Sequence, residues 1–356
     1  MKPIQLLSAA EQVAAHLRIE LVERRLTGSM PGVLRLETEL GVNRNTLEAA
    51  LRLLEQEGLL IPQGAGRRRR IARPRNSTNT RSLRVGILPS EAADRKLDYM
   101  VDLQHRLLVA GHSPFYPTQS LLELGMDVKR IARMVKQSDA DAWVVVGGSN
   151  AVLEWFSSKK LETFALFGRR RGLPIAGGGP DKPPAIAEVT RTLVRLGHRR
   201  IVLLARKARR LPHPGATEQA FLDELKAQGI TPSLFNLPDW EMTVEGFYQC
   251  LDSLFKFTRP TALIIDEAPF YVAVQQFLTK RRLRVPQDIS LVCTDPDPVF
   301  FWCKSPVAHI HWDSGPLVKR ILRWAGNVSR GKEDRTQTLI PAIFTPGGTI
   351  RQAARD

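Results

Sequence analysis

The first sixty residues alternate between amphipathic stretches and turns. In residues 11–25, EQVAAHLRIELVERR, the apolar side chains recur every three or four positions, at Val13, Ala14, Leu17 and Leu21. This is the spacing of a helix that buries one stripe against a core. The pattern therefore predicts a first helix over this stretch.

Two further helices follow at close range. VLRLETEL, residues 33–40, predicts a short second helix that ends at Gly41, and a third begins near Asn43 and stops at Gly58. Two short helices joined by a tight turn with a glycine form the pattern of a helix-turn-helix. The predicted buried face of the third helix consists of Leu47, Ala50, Leu51 and Leu54.

The start of the third helix carries side chains suited to reading DNA. In a helix-turn-helix, the first residues of the second helix face base edges in the major groove. Arginine pairs with guanine through two hydrogen bonds, and asparagine pairs in the same way with adenine. The candidate base contacts are therefore Asn43, Arg44, Asn45 and Thr46.

A concentrated basic segment follows the third helix. Residues 1–58 hold seven basic and eight acidic side chains, whereas residues 59–82 hold seven arginines and no acid. LLIPQ, the GAG turn and RRRRI predict two short strands around a glycine turn, a wing that lays arginines along the phosphate backbone. A solvated charge run or a nuclear localisation signal is the alternative. The candidate contacts here are Gly64, Gly66, Arg67 and Arg68.

Residues 11–71 resemble the GntR-type winged-helix domain. The resemblance rests on MPGVLRLETELGVNRNTLEAALRLLEQEGLL and on QGAG, which stands at the family's Gly-rich wing tip. It implies that Arg44 and the wing glycines contact DNA. The sequence departs from the family at Glu48, where a DNA-contacting arginine is usual, and at Leu34, where arginine is common. We assign residues 1–72 to this domain and residues 73–82, of polar and basic composition, to a linker.

Beyond Ser82 the pattern changes to short apolar runs separated by amphipathic stretches, as expected for parallel strands with helical crossovers. This predicts an α/β fold over residues 83–356, in two successive lobes with a cleft between them. The predicted strands are 83–88, 142–148, 163–168, 173–178, 201–205, 261–266 and 289–293, and the predicted helices of the second series are 185–197, 217–229 and 270–281.

Residues 83–350 resemble the LacI/GalR regulators, whose effector domains share the fold of periplasmic sugar-binding proteins. The matching segments are LRVGILP, LVRLGHRRIVLL, FLDELKAQGI and above all RPTALIIDEAPFYVAVQQFLTKRRLRVPQDISLVCTD. The resemblance implies a two-lobed periplasmic-binding-protein-like domain. The lobes are predicted at about 83–180 plus 294–312 and about 183–293 plus 313–345. A GntR-type head on such a sensor resembles the arabinose-type chimeric repressors.

The same resemblance suggests effector contacts. Asp295 matches the family's effector-binding aspartate, Trp240 an aromatic of the cleft, and Trp312 falls where another cleft residue stands; for Trp312 a core position is equally compatible with the sequence. The family's arginine and asparagine are replaced by Thr217 and Ile265. A simple sugar is therefore not implied.

Charge around the predicted cleft suggests an anionic effector. The loops GRRR, residues 168–171, and RKARR, residues 206–210, follow predicted strands and would meet a cleft ligand at their carboxyl ends. Arginines that face solvent or DNA phosphates are the alternative. The remaining effector candidates are Arg206 and Arg209 in these loops and Asp266 at a strand end. The position of Asp266 suits hydroxyl binding or capping.

Other chemistry has little support. The net charge of +16 suggests an acidic partner. No apolar run is long enough for a membrane span or a signal peptide. The three cysteines lack metal spacing and are interpreted as buried apolar residues. His309 and His311 lack a third ligand, and the GGG at 177–179 is interpreted as a turn. We therefore expect a cytoplasmic, homodimeric regulator with no metal, cofactor or catalytic residue. An enzyme for carbohydrates or nucleotides, fused to a DNA-binding head, is the alternative.

Overall fold

The computed structural model describes residues 8–22, 29–57, 59–64, 67–71 and 81–354. Gly58, Gly66 and residues 73–80 of the predicted linker lie outside this set. The chain forms two compact units. The first comprises Met1–Val145, Lys159–Thr163 and Ile321–Asp334, and the second comprises Val146–Ser158, Phe164–Arg320 and Arg335–Asp356.

Three helices open the first unit: α1 (Ala9–Val22), α2 (Val33–Leu40) and α3 (Arg44–Gln56). Helix α2 ends at Gly41, whose φ of +63° is the left-handed conformation that glycine adopts at low cost. The Asn43 side chain caps α3 by accepting a hydrogen bond from the Thr46 backbone N–H at 2.9 Å. The predicted face of α3 is confirmed, because each of its members is at most 1% exposed: Leu47, Ala50, Leu51 and Leu54.

The basic segment forms the predicted pair of strands. Strand β1 (Leu60–Ile61) pairs antiparallel with β2 (Arg70–Ile71). The Met30 backbone N–H donates to the Arg69 carbonyl at 2.9 Å, which ties β2 to the segment before α2. Strand β2 is therefore held both by β1 and by the segment that precedes α2.

The remainder of the first unit is α/β. Strand β3 (Arg84–Leu88) pairs in parallel with β4 (Ser113–Phe115) and with β5 (Ala142–Val146). Two helices, α4 (Asp98–Val109) and α5 (Val128–Gln137), connect these strands. The positions of β3 and β5 agree with the strands predicted at 83–88 and 142–148.

The second unit contains a larger sheet in the order β6, β7, β12, β11, β10, β9, β8. Its neighbouring strands are parallel except for β11 and β12, which run antiparallel. The strands are β6 (Thr163–Leu166), β7 (Ala176–Asp181), β8 (Ile201–Leu204), β9 (Ala262–Ile265), β10 (Ser290–Cys293), β11 (Ala308–Trp312) and β12 (Gln337–Thr345).

Apolar side chains cover both faces of this sheet. Alternate residues of β8 and β9 divide between two buried clusters: Val202 and Leu263 lie in one, Leu203 and Ile264 in the other. Strands buried on both faces are the reason the sequence shows continuous apolar runs here. The helices are α6 (Asn150–Ser158), α7 (Lys182–Arg195), α8 (Lys207–Arg210), α9 (Ala216–Ala227), α10 (Val244–Phe257), α11 (Ala268–Lys280) and α12 (Gly315–Val328), the last continuing into the first unit.

The interpretation of the GGG segment as a turn is wrong, because residues 177–179 lie within β7. A Cβ on Gly177 would lie 2.6 Å from Cδ of Arg170 and 2.9 Å from the Ala165 carbonyl oxygen. A Cβ on Gly178 would lie 2.7 Å from a methyl carbon of Leu317. The glycines therefore serve close approach rather than chain reversal.

The cysteine interpretation holds for one residue of three. Cys293 is buried in β10, whereas Cys250 and Cys303 are half-buried. Within the part of the chain that the structure describes, no helix is both long and apolar enough to cross a membrane.

We predict that Gly177→Ala lowers the free energy of unfolding by about 1–3 kcal/mol, the cost of forcing a side chain into a filled space. Gly348→Ala is the matched control, since its Cβ would meet nothing nearer than 3.4 Å. Urea unfolding of both variants measures the difference. Equal stabilities would contradict the close-approach explanation for the glycine strand.

Candidate functional site

The start of α3 presents polar side chains to solvent. Asn43, Arg44 and Asn45 are exposed and Thr46 is half-buried. Because the Asn43 side-chain oxygen accepts the capping hydrogen bond, its amide N–H groups are what it can offer to another molecule. Arg44 and Asn45 therefore have the most accessible side chains among the predicted base contacts.

The wing arginines divide into two kinds. Arg67 and Arg68 are exposed, and Gly64 adopts a φ of +97° at the turn between the strands. Arg69 instead donates to Glu48 at 2.7 Å and also to Glu55, two carboxylates of α3. Burial alone would lower the pKa of Arg69, but these two carboxylates outweigh burial and raise it. Arg69 thus attaches the wing to the helix, and Gly66 lies outside the described residues.

In the second unit, Asp295 accepts hydrogen bonds from several elements. Its carboxylate receives both 2.7 Å contacts of the Lys182 ammonium, a 3.0 Å bond from Nε1 of Trp312 and a 2.9 Å bond from the Thr294 hydroxyl. Burial would raise the pKa of Asp295, but the charges of Lys182 and Arg209 outweigh it and the pKa lies below its usual value. Asp295 is held ionised at the centre of this cluster.

Lys182 was not among the predicted site residues. It is the first residue of α7, where the helix dipole disfavours a cation, and only 5% of it is exposed. Two prolines follow it and favour helix initiation. The only sequence signal was a lysine at the end of an apolar strand, and its partner lies 113 positions away.

A second group of charges lies at the ends of β8 and β9. The Arg209 guanidinium approaches Asp266 at 3.1 Å and Glu267 at 3.5 Å, while Arg206 forms a short ion pair with Glu267. The Thr294 hydroxyl oxygen also lies 3.0 Å from an Asp266 oxygen, so its single proton is shared between the two carboxylates and joins this group to Asp295. The structure therefore brings together five of the six predicted effector residues: Asp295, Trp312, Asp266, Arg206 and Arg209.

Burial and neighbouring charges together shift the pKa values of this group. Burial would lower the pKa of Arg209, but Asp266, Glu267 and Asp295 outweigh it and raise the pKa. Burial raises the pKa of Glu218 and, together with the charge of Asp266, that of Glu267. Ionisation is therefore less favourable for Glu218 and Glu267 than for Asp295.

Glu267 also has an unusual backbone. Its φ of +65° and ψ of 154° lie in a region that side chains rarely adopt, directly before α11. Strained residues of this kind concentrate at binding sites, where the surrounding contacts hold them. Its ion pairs with Arg206 and Arg209 are such contacts.

Trp240 lies in a different place. It is 5% exposed and packs against Phe247 and Phe270, with the Arg210 guanidinium 5.3 Å from its ring centroid. Arg210 also donates to the Trp240 carbonyl and pairs with Asp239. An effector contact by Trp240 stays a prediction, and the structure places this side chain in the core.

The histidine pair predicted at 309 and 311 and the nearby Asp297 both lie among the described residues. His309 and His311 lie on β11 with ring centroids 6.1 Å apart, and the described residues contain no group of three potential metal ligands. Asp297 accepts from the Val299 backbone N–H and caps the short 3₁₀ helix that follows it. The side chain of Asp297 therefore has a capping role.

Comparison with known proteins relates both parts of the chain to families. Residues 9–67 match the family model described as bacterial regulatory proteins, gntR family, and residues 190–350 match a periplasmic binding protein-like domain. No curated protein is significantly similar to the chain.

Solved structures show the same fold. A LacI family transcriptional regulator from Enterococcus faecium with bound ribose is 14% identical, with a TM-score of 0.61 over 76% of this chain and all of that one. A transcriptional regulator CelR–cellobiose complex is 15% identical, with a TM-score of 0.62 over 90% of this chain and all of the other. The lac repressor dimer bound to operator and the anti-inducer ONPF is 16% identical, with a TM-score of 0.59 over 76% and 95%.

We predict that Asp295→Asn lowers the free energy of unfolding by about 3–5 kcal/mol, because it leaves the Lys182 ammonium buried without its counter-charge. The double variant Lys182→Met with Asp295→Asn should recover part of that loss. Denaturant unfolding followed by tryptophan fluorescence measures both. A double variant no more stable than the single one would contradict the pairing.

Acid should have a related effect. A carboxyl group whose folded pKa is depressed contributes stability above its unfolded pKa, and this contribution disappears as pH falls through the folded pKa. The stability difference between wild type and Asp295→Asn should therefore shrink below about pH 4, the ordinary aspartate range. A difference that stays constant down to pH 2 would contradict a depressed pKa of Asp295.

Proposed function

Because the chain joins a GntR-type DNA-binding domain to a periplasmic binding protein-like domain, we propose that it is a ligand-responsive transcriptional regulator. In this proposal it acts in the cytoplasm as a homodimeric repressor on a near-palindromic operator. A small carbohydrate-like or anionic effector binds the second unit and changes the affinity for DNA.

The head of the protein supports the DNA-binding part of the proposal. A capped recognition helix presents Arg44 and Asn45, and a wing held by Arg69 presents Arg67 and Arg68 beside it. Arginine and asparagine are the side chains that pair with guanine and adenine, and exposed arginines on a wing suit phosphate contacts. The arrangement of these groups is the observation that carries the proposal.

The second unit supports the sensing part. Asp266 follows β9, Asp295 follows β10 and Arg206 follows β8, so three polar groups converge at the carboxyl ends of parallel strands, where open α/β sheets bind ligands. Structures of the same fold contain ribose and cellobiose. In this chain Asp295, Asp266 and Glu267 already pair with internal cations.

Ligand and operator binding are coupled in this proposal. If an effector binds one conformation of the protein more tightly and operator binds another, each must weaken the other by the same factor. A thermal-shift screen of sugars, sugar phosphates and nucleosides, repeated with operator present, identifies effectors through this linkage. Catalytic turnover of the effector found would instead favour the fused-enzyme alternative.

We predict that Arg44→Ala costs about 1–3 kcal/mol on an operator selected from random DNA and little on unselected DNA. Changing both Arg67 and Arg68 to Ser should weaken binding to both DNAs and reduce the salt dependence by about two phosphate contacts. Gel-shift titrations at several salt concentrations measure these effects. Equal losses on both DNAs for Arg44→Ala would exclude a base-reading role.

An exposed aromatic pair is a candidate contact for the proposed homodimer. Phe301 and Trp302 are 85% and 84% exposed on the short helix Pro298–Trp302, next to Val299 at 45%. Neighbouring aromatics of this kind are typical of interfaces and costly to leave in water.

We predict that changing Phe301 and Trp302 to Ser weakens self-association at least about tenfold, the loss expected for interface aromatics. Phe257→Ser, at a side chain 76% exposed at the end of α10, is the matched control. Sedimentation equilibrium measures the dissociation constants. Unchanged association of the double variant would place the dimer contact elsewhere.

A further inference from the structure

Among the described residues of the second unit, no carboxylate forms an ion pair with Arg170. Its side chain runs along the glycines of β7: a Cβ on Gly177 would lie 2.6 Å from its Cδ, and a Cβ on Gly179 would lie 3.2 Å and 3.3 Å from its two terminal nitrogens. Its Nε is buried without a hydrogen-bond partner, and burial lowers the pKa of this arginine. An uncompensated guanidinium in such a place costs free energy that a bound anion would offset.

The neighbouring basic side chains differ from Arg170 in this respect. The two loops 168–171 and 206–210 hold seven basic residues, of which five have partners within the chain. Arg206, Lys207, Arg209 and Arg210 pair with carboxylates, and Arg169 donates to the carbonyls of Ala208, Arg209 and His213. Arg171 is exposed, whereas Arg170 is half-buried and lies against the glycines of β7.

One aromatic ring, that of Phe167, lies near the Arg170 guanidinium. The edge of Phe167 would lie 3.3 Å from a Cβ on Gly179, the same position that the terminal nitrogens of Arg170 approach. Phe167 in turn packs against Trp312, with ring centroids 5.7 Å apart, and Trp312 donates to Asp295. Arg170 therefore lies on the side of β7 that leads to the Asp295 cluster.

The acceptors of that cluster are already occupied. Both oxygens of Asp295 accept hydrogen bonds from Lys182, and each accepts one more, from Trp312 or Thr294. A ligand that could only donate hydrogen bonds would have to displace these internal donors. Arg170 offers donors instead, and arginine's planar fork matches a carboxylate or a phosphate.

We propose that Arg170 binds an anionic group of the effector, a carboxylate or a phosphate, with Phe167 and Trp312 beside the remainder of the molecule. This inference rests on the proposed sensing function and specifies the class of its ligand. Arg206 and Arg209, the cations expected from the sequence, have the separate role of neutralising Asp266 and Glu267.

Calorimetry on the full chain tests this inference with four probes: inorganic phosphate, glucose, glucose 6-phosphate and gluconate. The two charged sugars compare phosphate with carboxylate, and inorganic phosphate shows whether the anion alone suffices. We expect a charged sugar to bind more tightly than glucose, and Arg170→Met to reduce that affinity roughly ten- to a hundred-fold, as for loss of a charge-assisted hydrogen bond. Arg171→Met, one residue away and exposed, should bind as wild type does.

Two controls separate folding and DNA binding from ligand recognition. Arg170→Lys keeps the charge but lacks the fork, so it should retain an intermediate preference for anions if the variant with methionine is too unstable to measure. Operator affinity without effector should be unchanged in every variant. The inference is overturned if glucose binds as tightly as the charged sugars, if no charged probe binds wild type, or if Arg170→Met keeps the preference. Failure of the wild-type protein to bind any DNA operator would instead overturn the proposed function.

Discussion

The pairing of buried charges around Asp295 is the constraint on which the second unit depends. One carboxylate fixes the first residue of α7 through Lys182, the end of β11 through Trp312 and the strand end after β10 through Thr294. Each partner alone would be costly: a lysine at a helix N-terminus opposes the dipole, and a buried carboxylate opposes desolvation. Together they join three elements that are distant in sequence, so the geometry of the strand ends follows from this ion pair.

The same principle explains a departure in the DNA-binding head. Glu48 replaces an arginine that usually contacts DNA, and an acid there would repel phosphates. In this chain the acid accepts a hydrogen bond from Arg69, whose other bond goes to Glu55. The cost of the acid is therefore offset by a wing residue that attaches the wing to the helix. One arginine of the run RRRR thus has a structural role, which its position in the run does not reveal.

Local patterns predicted most elements, because each depends on its own residues. Strands buried on both faces appear as apolar runs. Helix α2 ends at Gly41, because the left-handed backbone at that position favours glycine. The failures involve distant partners. The sequence of three glycines favours a turn, because it does not show that the side chains of Arg170 and Leu317 fill the space beside them. Lys182 is absent from the predicted site because its role depends on an aspartate far along the chain, and the local sequence likewise does not show the core neighbours of Trp240.

The replaced family residues can be understood together in these terms. Ile265 is buried in β9, where the family's asparagine would be, and the adjacent Asp266 pairs with Arg209 from α8. The family has an arginine where this chain has Thr217. Arg209, eight positions earlier, carries the same charge, but Asp266 and Glu267 already engage its guanidinium. Specificity is a difference in affinity between competing ligands, and a charge that is already paired within the chain must lose that partner before it can contribute. Under the proposal that Arg170 binds an anionic group, the replacement of asparagine by isoleucine removes a hydroxyl-binding side chain, while Arg170 favours an anion over a neutral sugar.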